Sequence, residues 1–326
     1  MSRAALSTSG PSARGHRTTA GHGDGVPGWL GVLRQAAAAD TPELPAPSRQ
    51  ATFAGLEHGW PGNLEENWIA RDGDTILGVA SLGMPLLDNL DNAWLELTVH
   101  PAYRRRGVGT ALFGHAVQRT REAGRKRLAF ESLESLPGGD VARSAAGSAF
   151  AALLGATRAL EEVRRRLLLS DVDTPALDAA LAESWTYADG YSLVRWSDRA
   201  PDDAVADIAA LESSFIGEAP MGELAWEPEN VDVAQLRAIE AAIALRGWPR
   251  LHTAARHDAT GQVVAWTTLG LAGESVEHVW QQITLVRPDH RGHRLGTVVK
   301  LENLALARRA WPRMKRIDTF NATVND

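Results

Sequence analysis

The chain has 326 residues, of which 44% are hydrophobic and 23% are charged, as in soluble globular proteins with room for two domains. Its net charge of -6 argues against a nucleic-acid-binding protein, because phosphate contacts need a basic surface. No apolar stretch approaches the roughly 18 residues of a membrane-spanning helix. The absence of cysteine excludes disulfides and thiolate chemistry, and we expect a cytoplasmic location.

The N-terminal half predicts a tail followed by helices and an antiparallel meander. Residues 1–27 are rich in Ser, Gly, Arg and Thr, so we expect a disordered tail without an opening strand. The elements predicted after it are a helix at 29–39, strands at 67–71, 75–82 and 94–99, a helix at 109–123, a strand at 126–132, a helix at 144–154 and two short strands within 157–169.

The C-terminal half predicts the same series again. The predicted domains are a tail at 1–27, an N-terminal domain at 28–172, a helical connector at 173–188 and a C-terminal domain at 189–326. In the last of these we expect strands at 191–196, 250–256, 262–269, 279–286 and 314–319, and helices at 203–215, at 233–245 and after 290.

The two series match at one constant spacing of 187 positions, which indicates an internal duplication. After Gly109 the first copy continues for 60 residues to Leu169, whereas only 30 follow Gly296 in the second (169 minus 109, and 326 minus 296). We therefore expect the C-terminal domain to be incomplete, or completed by another chain. The matched pairs are Gly83–Gly270, Val99–Val286, Pro101–Pro288, Arg104–Arg291, Gly109–Gly296 and Thr110–Thr297.

A basic glycine loop lies between a strand and a helix in each copy. The first loop contains Arg104-x-x-Gly107-x-Gly109, and such a loop predicts an anion site at the helix N-terminus. A Walker-type loop would need Lys-Ser/Thr after its glycines, and neither copy has that pair. A dinucleotide fingerprint would need three glycines after a first strand, which neither loop provides.

The segment VHPAYRRRGVGTALFGHAV resembles the acetyl-coenzyme-A signature of the GNAT (GCN5-related N-acetyltransferase) superfamily, Arg/Gln-x-x-Gly-x-Gly/Ala. The first copy matches this pattern in full. The second copy, VRPDHRGHRLGTVVKLENL, has Arg294 in the place of the first glycine. The chain as a whole resembles tandem GNAT proteins. The resemblance implies an α/β (α+β mixed sheet) fold of two domains, each a mostly antiparallel sheet flanked by helices.

The resemblance also implies acetyl-CoA as co-substrate and no metal. Strand backbone would face the pantetheine arm, and the glycine loop would wrap the pyrophosphate. The Cβ of Arg294 would hinder that close approach, which Gly292 can offset in part. The implied residues are Leu97, Thr98, Val99, Arg104, Arg105, Arg106, Gly107, Val108, Gly109 and Thr110 in the first copy, and Thr284, Leu285, Val286, Arg291, Gly292, His293, Arg294, Leu295, Gly296 and Thr297 in the second.

Glu96 is the candidate general base for direct acyl transfer. It lies three positions before Val99, and strand alternation places it on the same face as Thr98. A structural carboxylate paired with a neighbouring arginine is the alternative. By the constant spacing its counterpart is Ile283, so the second copy lacks this group, with Gln281, Gln282 and Glu277 as weaker substitutes.

The expected proton donor to the leaving thiolate is missing. Many family members place a tyrosine on the helix after the fifth strand. Counting back from Gly155 by the family's spacing leads here to Ala151, beside Phe150, and neither residue carries a hydroxyl group.

The resemblance implies an acetyl-CoA-dependent N-acyltransferase that acts directly on a primary amine of a small molecule or peptide. The missing tyrosine and the short second copy favour an alternative, a non-catalytic CoA-binding or regulatory tandem GNAT protein. Acidic residues at Asp88, Asp91 and Glu96 hint at a cationic acceptor. We expect no nucleic acid and no membrane among the partners, and a homodimer is one expected assembly.

Overall fold

The chain folds into two units, each a mixed sheet flanked by helices. The computed structural model describes residues 2–7, 26–218, 221–271 and 273–323. The first unit comprises Met1–Val163, Pro220–Glu227 and Asn321–Asp326, and the second comprises Arg164–Ala219 and Pro228–Phe320. The predicted fold class is thereby confirmed. Among the described helices, none has the length and apolar character needed to cross a bilayer.

The first unit orders its strands β2-β3-β4-β5-β1-β6. The described pairs are antiparallel except β4 with β5, which is parallel. Its elements are β1 Ser2–Ser7, α1 Val26–Asp40, α2 Arg49–His58, β2 Asn63–Asp72, β3 Thr75–Pro85, β4 Asn92–Val99, α3 Val108–Glu122, β5 Arg127–Ser132, α4 Ala146–Leu153 and β6 Thr157–Leu168.

The prediction of a disordered tail without an opening strand is wrong for Ser2–Ser7. This segment forms β1 between β5 and β6, with Ala5 opposite Ala129 and Arg3 opposite Leu160. Its sequence, SRAALS, has no β-branched or aromatic residue, so it carries no local strand signal. Its partners lie more than a hundred positions away in the chain. Residues 8–25 of the predicted tail lie outside the described residues.

Helices cover both faces of the first sheet. On one face α3 and α4 enclose the largest core, which includes Leu82, Leu95 and Leu112. On the other face α1 and α2 pack over Val79. Beyond that contact, residues 221–227 cover the same face near Ala129 and Ala159, with Trp226 against Trp94. The part of this face between the two covers carries Glu96, which lies opposite Ser81.

The second unit orders its strands β11-β10-β9-β8-β7. The end of β6, from Arg164 onward, lies beside β11, and Leu169 N donates a hydrogen bond to Lys315 O at 2.9 Å. That edge of β11 is therefore paired within this chain. The elements are α5 Thr174–Trp185, β7 Tyr191–Ser197, α6 Val205–Glu218, α7 Val233–Leu245, β8 Arg250–His257, β9 Val263–Leu271, β10 His278–Val286, α8 Leu295–Ala310 and β11 Arg316–Ala322.

A buried ion cluster fastens the end of β6 to β11. The carboxylate of Asp318, fully buried, accepts two hydrogen bonds of 2.7 Å from Arg166. Arg164 lies 3.5 Å from it and His278 Nε2 lies 3.1 Å from it. Burial alone would raise the pKa of Asp318, but the hydrogen bonds from Arg166 and the close approach of His278 outweigh it and hold that pKa well below its ordinary range.

We predict that Asp318→Ala lowers the free energy of unfolding by about 3–5 kcal/mol, because it leaves two arginines beside a buried, uncompensated site. Chemical denaturation followed by circular dichroism measures this loss. Asp203→Ala is the control, since the ion pair of Asp203 with Arg256 is largely exposed and should contribute no more than about 1 kcal/mol. Equal losses in the two variants would contradict a special role for the cluster.

Candidate active site

Strands β4 and β5 are hydrogen-bonded to each other only over a short parallel stretch and then separate. Only Asn92–Trp94 pairs with Arg127–Ala129. Beyond Trp94 the strand β4 stays paired with β3 on its other side, as far as Val99 opposite Gly78. One backbone edge of Leu95–Val99 therefore faces a V-shaped opening between the two parallel strands. This opening leads to the glycine loop and the N-terminus of α3.

Two left-handed residues shape the loop before α3. Arg105 has φ 63° and Gly107, the N-cap of the helix, has φ 82°. The first helical hydrogen bond, from Ala111 N to Gly107 O, leaves the amides of residues 108–110 directed out of the helix end. At Gly109 a Cβ would lie 3.5 Å from Val99 Cγ2, so loop and strand are in close contact. The loop thus presents several N–H groups beside the opening.

The first arginine of the signature positions the loop. Arg104 donates two hydrogen bonds to the carboxylate of Asp40, at 2.8 and 2.5 Å, and a third from Nε to Val99 O at 3.2 Å. Its charge is thereby paired with α1 and its side chain ties the loop to β4. The guanidinium of Arg106 lies over the ring of Tyr103 at 5.5 Å, and Arg105 is exposed. Arg105 and Arg106 are therefore the loop cations on the solvent side.

The loop of the second unit has the same backbone shape with its residues exchanged. Gly292 has φ 87° and Arg294 has φ 51°, at the positions that correspond to Arg105 and Gly107. Each loop thus contains one glycine and one arginine at its two left-handed positions. For Arg294 this conformation costs about 1–2 kcal/mol. The backbone path of the loop is thus preserved although Arg294 stands in the place of a glycine. Whether Gly292 also restores binding stays a prediction.

The side chain of Arg294 points toward the connector helix. Its Nη1 donates to Glu183 Oε1 at 2.7 Å, and its guanidinium lies 4.3 Å from the centre of the Tyr187 ring. His293 Nδ1 lies 3.0 Å from Tyr187 O. The second loop is thereby fastened to the last turn of α5 and to Tyr187 just after it, and the Arg294 charge is already paired.

The second unit has its own opening between β10 and β11. Here His278–Trp280 pairs with Arg316–Asp318 and no further pair is described between these strands. Thr284, Leu285 and Val286 follow beyond the parting and stay paired with β9. The Oγ1 of Thr284 lies 2.8 Å from that of Thr267, and Leu285 packs with Trp266. Both predicted strand segments therefore border an opening.

A β-bulge in β10 breaks the constant spacing of the repeat. Gly83 pairs with Trp94 in the first unit, whereas its counterpart Gly270 pairs with Trp280. The register shifts between Gln281 and Thr284, after which the original spacing returns. One residue fewer in the preceding loop and one more in the strand cancel each other. The sequence comparison could not detect either change.

The bulge also changes which residues of the second unit correspond to Glu96. Glu96 lies opposite Ser81, and the counterpart of Ser81, Thr268, faces the bulge formed by Gln282 and Ile283. Ile283 is therefore only one half of the equivalent site. Glu277, one of the suggested substitutes, pairs with Lys315 at 2.8 Å before β10 begins.

Glu96 lies on the face of β4 opposite the main core, beside the small side chain of Ser81. Its side chain is exposed, but the protein atoms around it displace part of its hydration, and this desolvation raises the pKa of Glu96 above its ordinary value. The negative charge of Glu65 on β2 raises that pKa further. Among the described residues no arginine pairs with Glu96, so the structure does not support the alternative of a paired strand carboxylate.

Glu65 was not identified from the sequence. It lies opposite Gly83, which in turn lies opposite Trp94. The middle strand therefore contributes only Ser81 and Gly83 between the two carboxylates, and these small residues leave room on the sheet surface. A search for acidic residues on alternate positions of β2 could have found Glu65 only if the register of the meander had been known.

The ring of Phe150 lies close to the N-terminus of α3. A Cβ at Gly109 would lie 3.6 Å from Phe150 Cζ, and Phe150 also packs edge-on against Phe113. The first unit thus presents an apolar ring from α4 at this place. No group of His, Asp or Glu suited to a metal ion occurs among the described residues.

Residues 33–136 match the family described as Acetyltransferase (GNAT) family. The first repeat belongs to the GNAT family. A mycothiol acetyltransferase from Parafrankia sp. (strain EAN1pec) is 37% identical over 93 residues, which cover 26% of this chain and 28% of that protein. The match thus spans little more than a quarter of that protein.

Solved structures extend the GNAT similarity to both repeats. A tandem GNAT protein from the clavulanic acid biosynthesis pathway is 29% identical with a TM-score of 0.77, covering 94% of this chain and 89% of that one. A GCN5-related N-acetyltransferase from Sphaerobacter thermophilus, 16% identical with a TM-score of 0.54, covers 92% and 84% and supports the fold alone. The chain therefore has a tandem GNAT fold.

We predict that Glu96→Gln raises the melting temperature at neutral pH. Because folding raises the pKa of Glu96, the ionised carboxylate destabilises the native state above that pKa. The gain should disappear as pH falls below the ordinary carboxylate pKa of about 4.5, where both states are protonated. Thermal unfolding across this pH range measures the effect.

Glu122→Gln is the matched control. The pKa of the exposed Glu122 is lowered by hydrogen bonds from Gln118 and Arg119, so its removal should lower the melting temperature at neutral pH. Changes of the same sign in both variants would contradict the assignment for Glu96.

Proposed function

We propose that the first unit transfers the acetyl group of acetyl-CoA directly to a primary amine. One observation supports this above all. A single strand, β4, carries the open backbone edge at Leu97–Val99, leads into the loop at the α3 N-terminus, and holds Glu96 on its other face. The proposed cofactor site and the proposed base therefore lie on the same strand.

Acetyl-CoA, the co-substrate of GNAT proteins, fits the groups present. The pyrophosphate would bind the amides of residues 108–110 at the positive end of α3, where Gly107 keeps the backbone accessible. Arg105 and Arg106 supply charge from the solvent side. The pantetheine amides would pair with the open edge of Leu97–Val99 as an added strand would.

In the proposed reaction the amine nitrogen attacks the thioester carbonyl. A nitrogen–carbon bond forms, the carbon–sulfur bond breaks, and CoA leaves as the thiolate. Glu96 first takes the ammonium proton, directly or through a water molecule, so that the neutral amine can attack, and the second proton lost by the acylated nitrogen passes to solvent. Its raised pKa brings it closer to the working pH, which makes it a more effective general base than an ordinary carboxylate.

The acceptor proposed is a small-molecule or peptide amine that is cationic in solution. Glu65 and Glu96 both face the sheet surface over Ser81 and Gly83, so an ammonium group would be attracted there. Residues 221–227 border this surface at Trp94. The name of the mycothiol relative does not fix the acceptor, because the match covers 28% of that protein.

The second candidate is a CoA-binding protein without turnover. It is favoured by Phe150, whose ring lies beside Gly109 where a hydroxyl group would be needed to protonate the thiolate. Without such a donor the thiolate must leave as an anion or take its proton from solvent. Binding of acetyl-CoA without thiol release, across amines, amino acids, aminoglycosides and peptides, would support this candidate.

We predict that Gly107→Val weakens acetyl-CoA binding at least about tenfold. A β-branched residue strains the left-handed N-cap, at φ 82°, and tilts the amides away from the ligand. Isothermal titration with acetyl-CoA measures the loss. The matched control is Gly292→Val in the loop of the second unit, where φ is 87°. This change should leave acetyl-CoA binding at the first loop intact. Unchanged affinity in Gly107→Val, with the fold retained, would contradict the site.

We predict that Glu96→Gln lowers kcat by about 10²- to 10⁴-fold without changing the affinity for acetyl-CoA, because it removes the proton acceptor alone. Thiol release measured with an accepted amine gives kcat, and titration gives the affinity. Glu65→Gln should keep most of the activity but move the acidic limb of the pH–rate profile to lower pH, since the Glu65 charge raises the pKa of Glu96. A limb that does not move would contradict Glu96 as the base.

A further inference from the structure

The corresponding face of the second unit carries the opposite charge. Glu65 pairs with Gly83 in the first unit, and Arg250 pairs with the equivalent Gly270 in the second. A guanidinium therefore stands where the first unit has a carboxylate. The next position on the same face of β8 is His252, whose counterpart in the first unit is Asn67.

His252 is held as a neutral hydrogen-bond donor. The residue is 5% exposed, and its ring stacks on that of Trp196, with centroids 4.9 Å apart and planes inclined by 3°. Trp266 Nε1 lies 3.1 Å from its Nδ1. An indole N–H can only donate, so Nδ1 is the unprotonated nitrogen and the ring proton is on Nε2. Burial, and secondarily Arg250, lowers the pKa of His252 to about 3.

Two buried N–H groups on this face have no acceptor. Within the described residues, Nε2 of His252 and Nε1 of Trp196 are shielded from solvent and make no hydrogen bond. Buried donors are almost always paired in folded proteins. Two such groups on stacked rings point to an acceptor atom that comes from outside the chain.

A further donor and a cation lie on the adjacent row of this face. A Cβ placed on Gly270 would lie 3.5 Å from Arg250 Cγ and 3.7 Å from Gln282 Nε2, so both side chains pass over this glycine. Gln282, part of the bulge, is exposed. The bulge thus turns an amide group toward the row that Arg250 occupies, at a position open to solvent.

The acidic groups nearby do not form an ion pair with the guanidinium of Arg250. Asp198 accepts a hydrogen bond from the backbone N of Arg250 at 2.8 Å, and Glu212 on α6 acts on Arg250 only through its field. No ion pair with the Arg250 guanidinium occurs among the described residues. Glu229 lies near Glu212, and burial raises the pKa of Glu212. The guanidinium remains available as a counter-ion.

We propose that this face of the second unit binds a small ligand bearing a carboxylate. Arg250 would be the counter-ion at the open edge of this face. The N–H groups of His252 and Trp196, shielded in the ligand-free chain, would donate to the carboxylate or to a neighbouring oxygen once the side chains covering them move aside. Ile283 and Leu285, which pack in the same cluster as Trp196, favour an apolar body behind that carboxylate. The two repeats then recognise groups of opposite sign on equivalent surfaces.

Benzoate is the probe, titrated into the full-length protein by calorimetry and followed by the indole ¹H–¹⁵N signal of Trp196. Benzoate should bind at least about tenfold tighter than benzamide, which has the same shape without the charge. The Trp196 signal should shift on binding. Equal affinity for the two compounds, or no binding of benzoate at about 20 mM, where a charge-assisted site should be occupied, would overturn the proposal.

Variants locate the binding. Arg250→Gln should weaken benzoate binding about tenfold or more, and Trp196→Phe, which keeps a ring but loses the N–H, should weaken it severalfold. Glu65→Gln, the change at the equivalent position of the first unit, should leave it unchanged. Should Arg250→Gln unfold, Gln282→Ala tests the same face from its exposed edge. Benzoate binding that survives these changes to the face, in folded protein, would overturn the proposal, whereas loss of acetyl transfer alone would not affect it.

Discussion

The parting of two parallel strands governs most of what this chain can do. Had β4 and β5 stayed paired beyond Trp94, the backbone of Leu97–Val99 would be saturated and no edge would remain for a ligand. The loop that follows β4 is fixed to the same strand by Arg104, through Val99 O and through Asp40. The proposed cofactor site is therefore a property of how β4 ends, and Asp40 at the end of α1 helps to hold that end in place.

Duplication gave both units the same opening but not the same surroundings. The left-handed N-cap of the loop helix is Gly107 in the first unit, whereas in the second it is Arg294, whose side chain pairs with Glu183. On the sheet face proposed to receive the acceptor, the first unit has the small residues Ser81 and Gly83 between two carboxylates. The second has Arg250 and a stack of aromatic rings around His252. Equivalent backbones thus support different chemistry, because side chains on one face changed while the strands did not.

The sequence was sufficient for the features that depend on local pattern. The glycine loop, α3, the hairpin before them and the repeat are all visible in short windows, and β4 and α3 lie where they were predicted. The pair of Arg104 with Asp40 spans 64 positions, and the effect of Glu65 on Glu96 needs the register of three strands. The bulge at Gln282 escaped because a shorter loop compensated for it. Contacts between distant segments and cancelling length changes leave no local signal.

The first unit contains residues from distant parts of the chain. Leu224 packs on Ala129 and Ala159, and the N–H of Thr323 donates to Glu161 O at 3.0 Å. These residues leave the ribosome long after the strands they complete. The first unit therefore cannot reach its final packing while the second is still being made, so the order of synthesis and the order of folding differ. A fragment cut at the connector would retain the signature loop but lose these contacts.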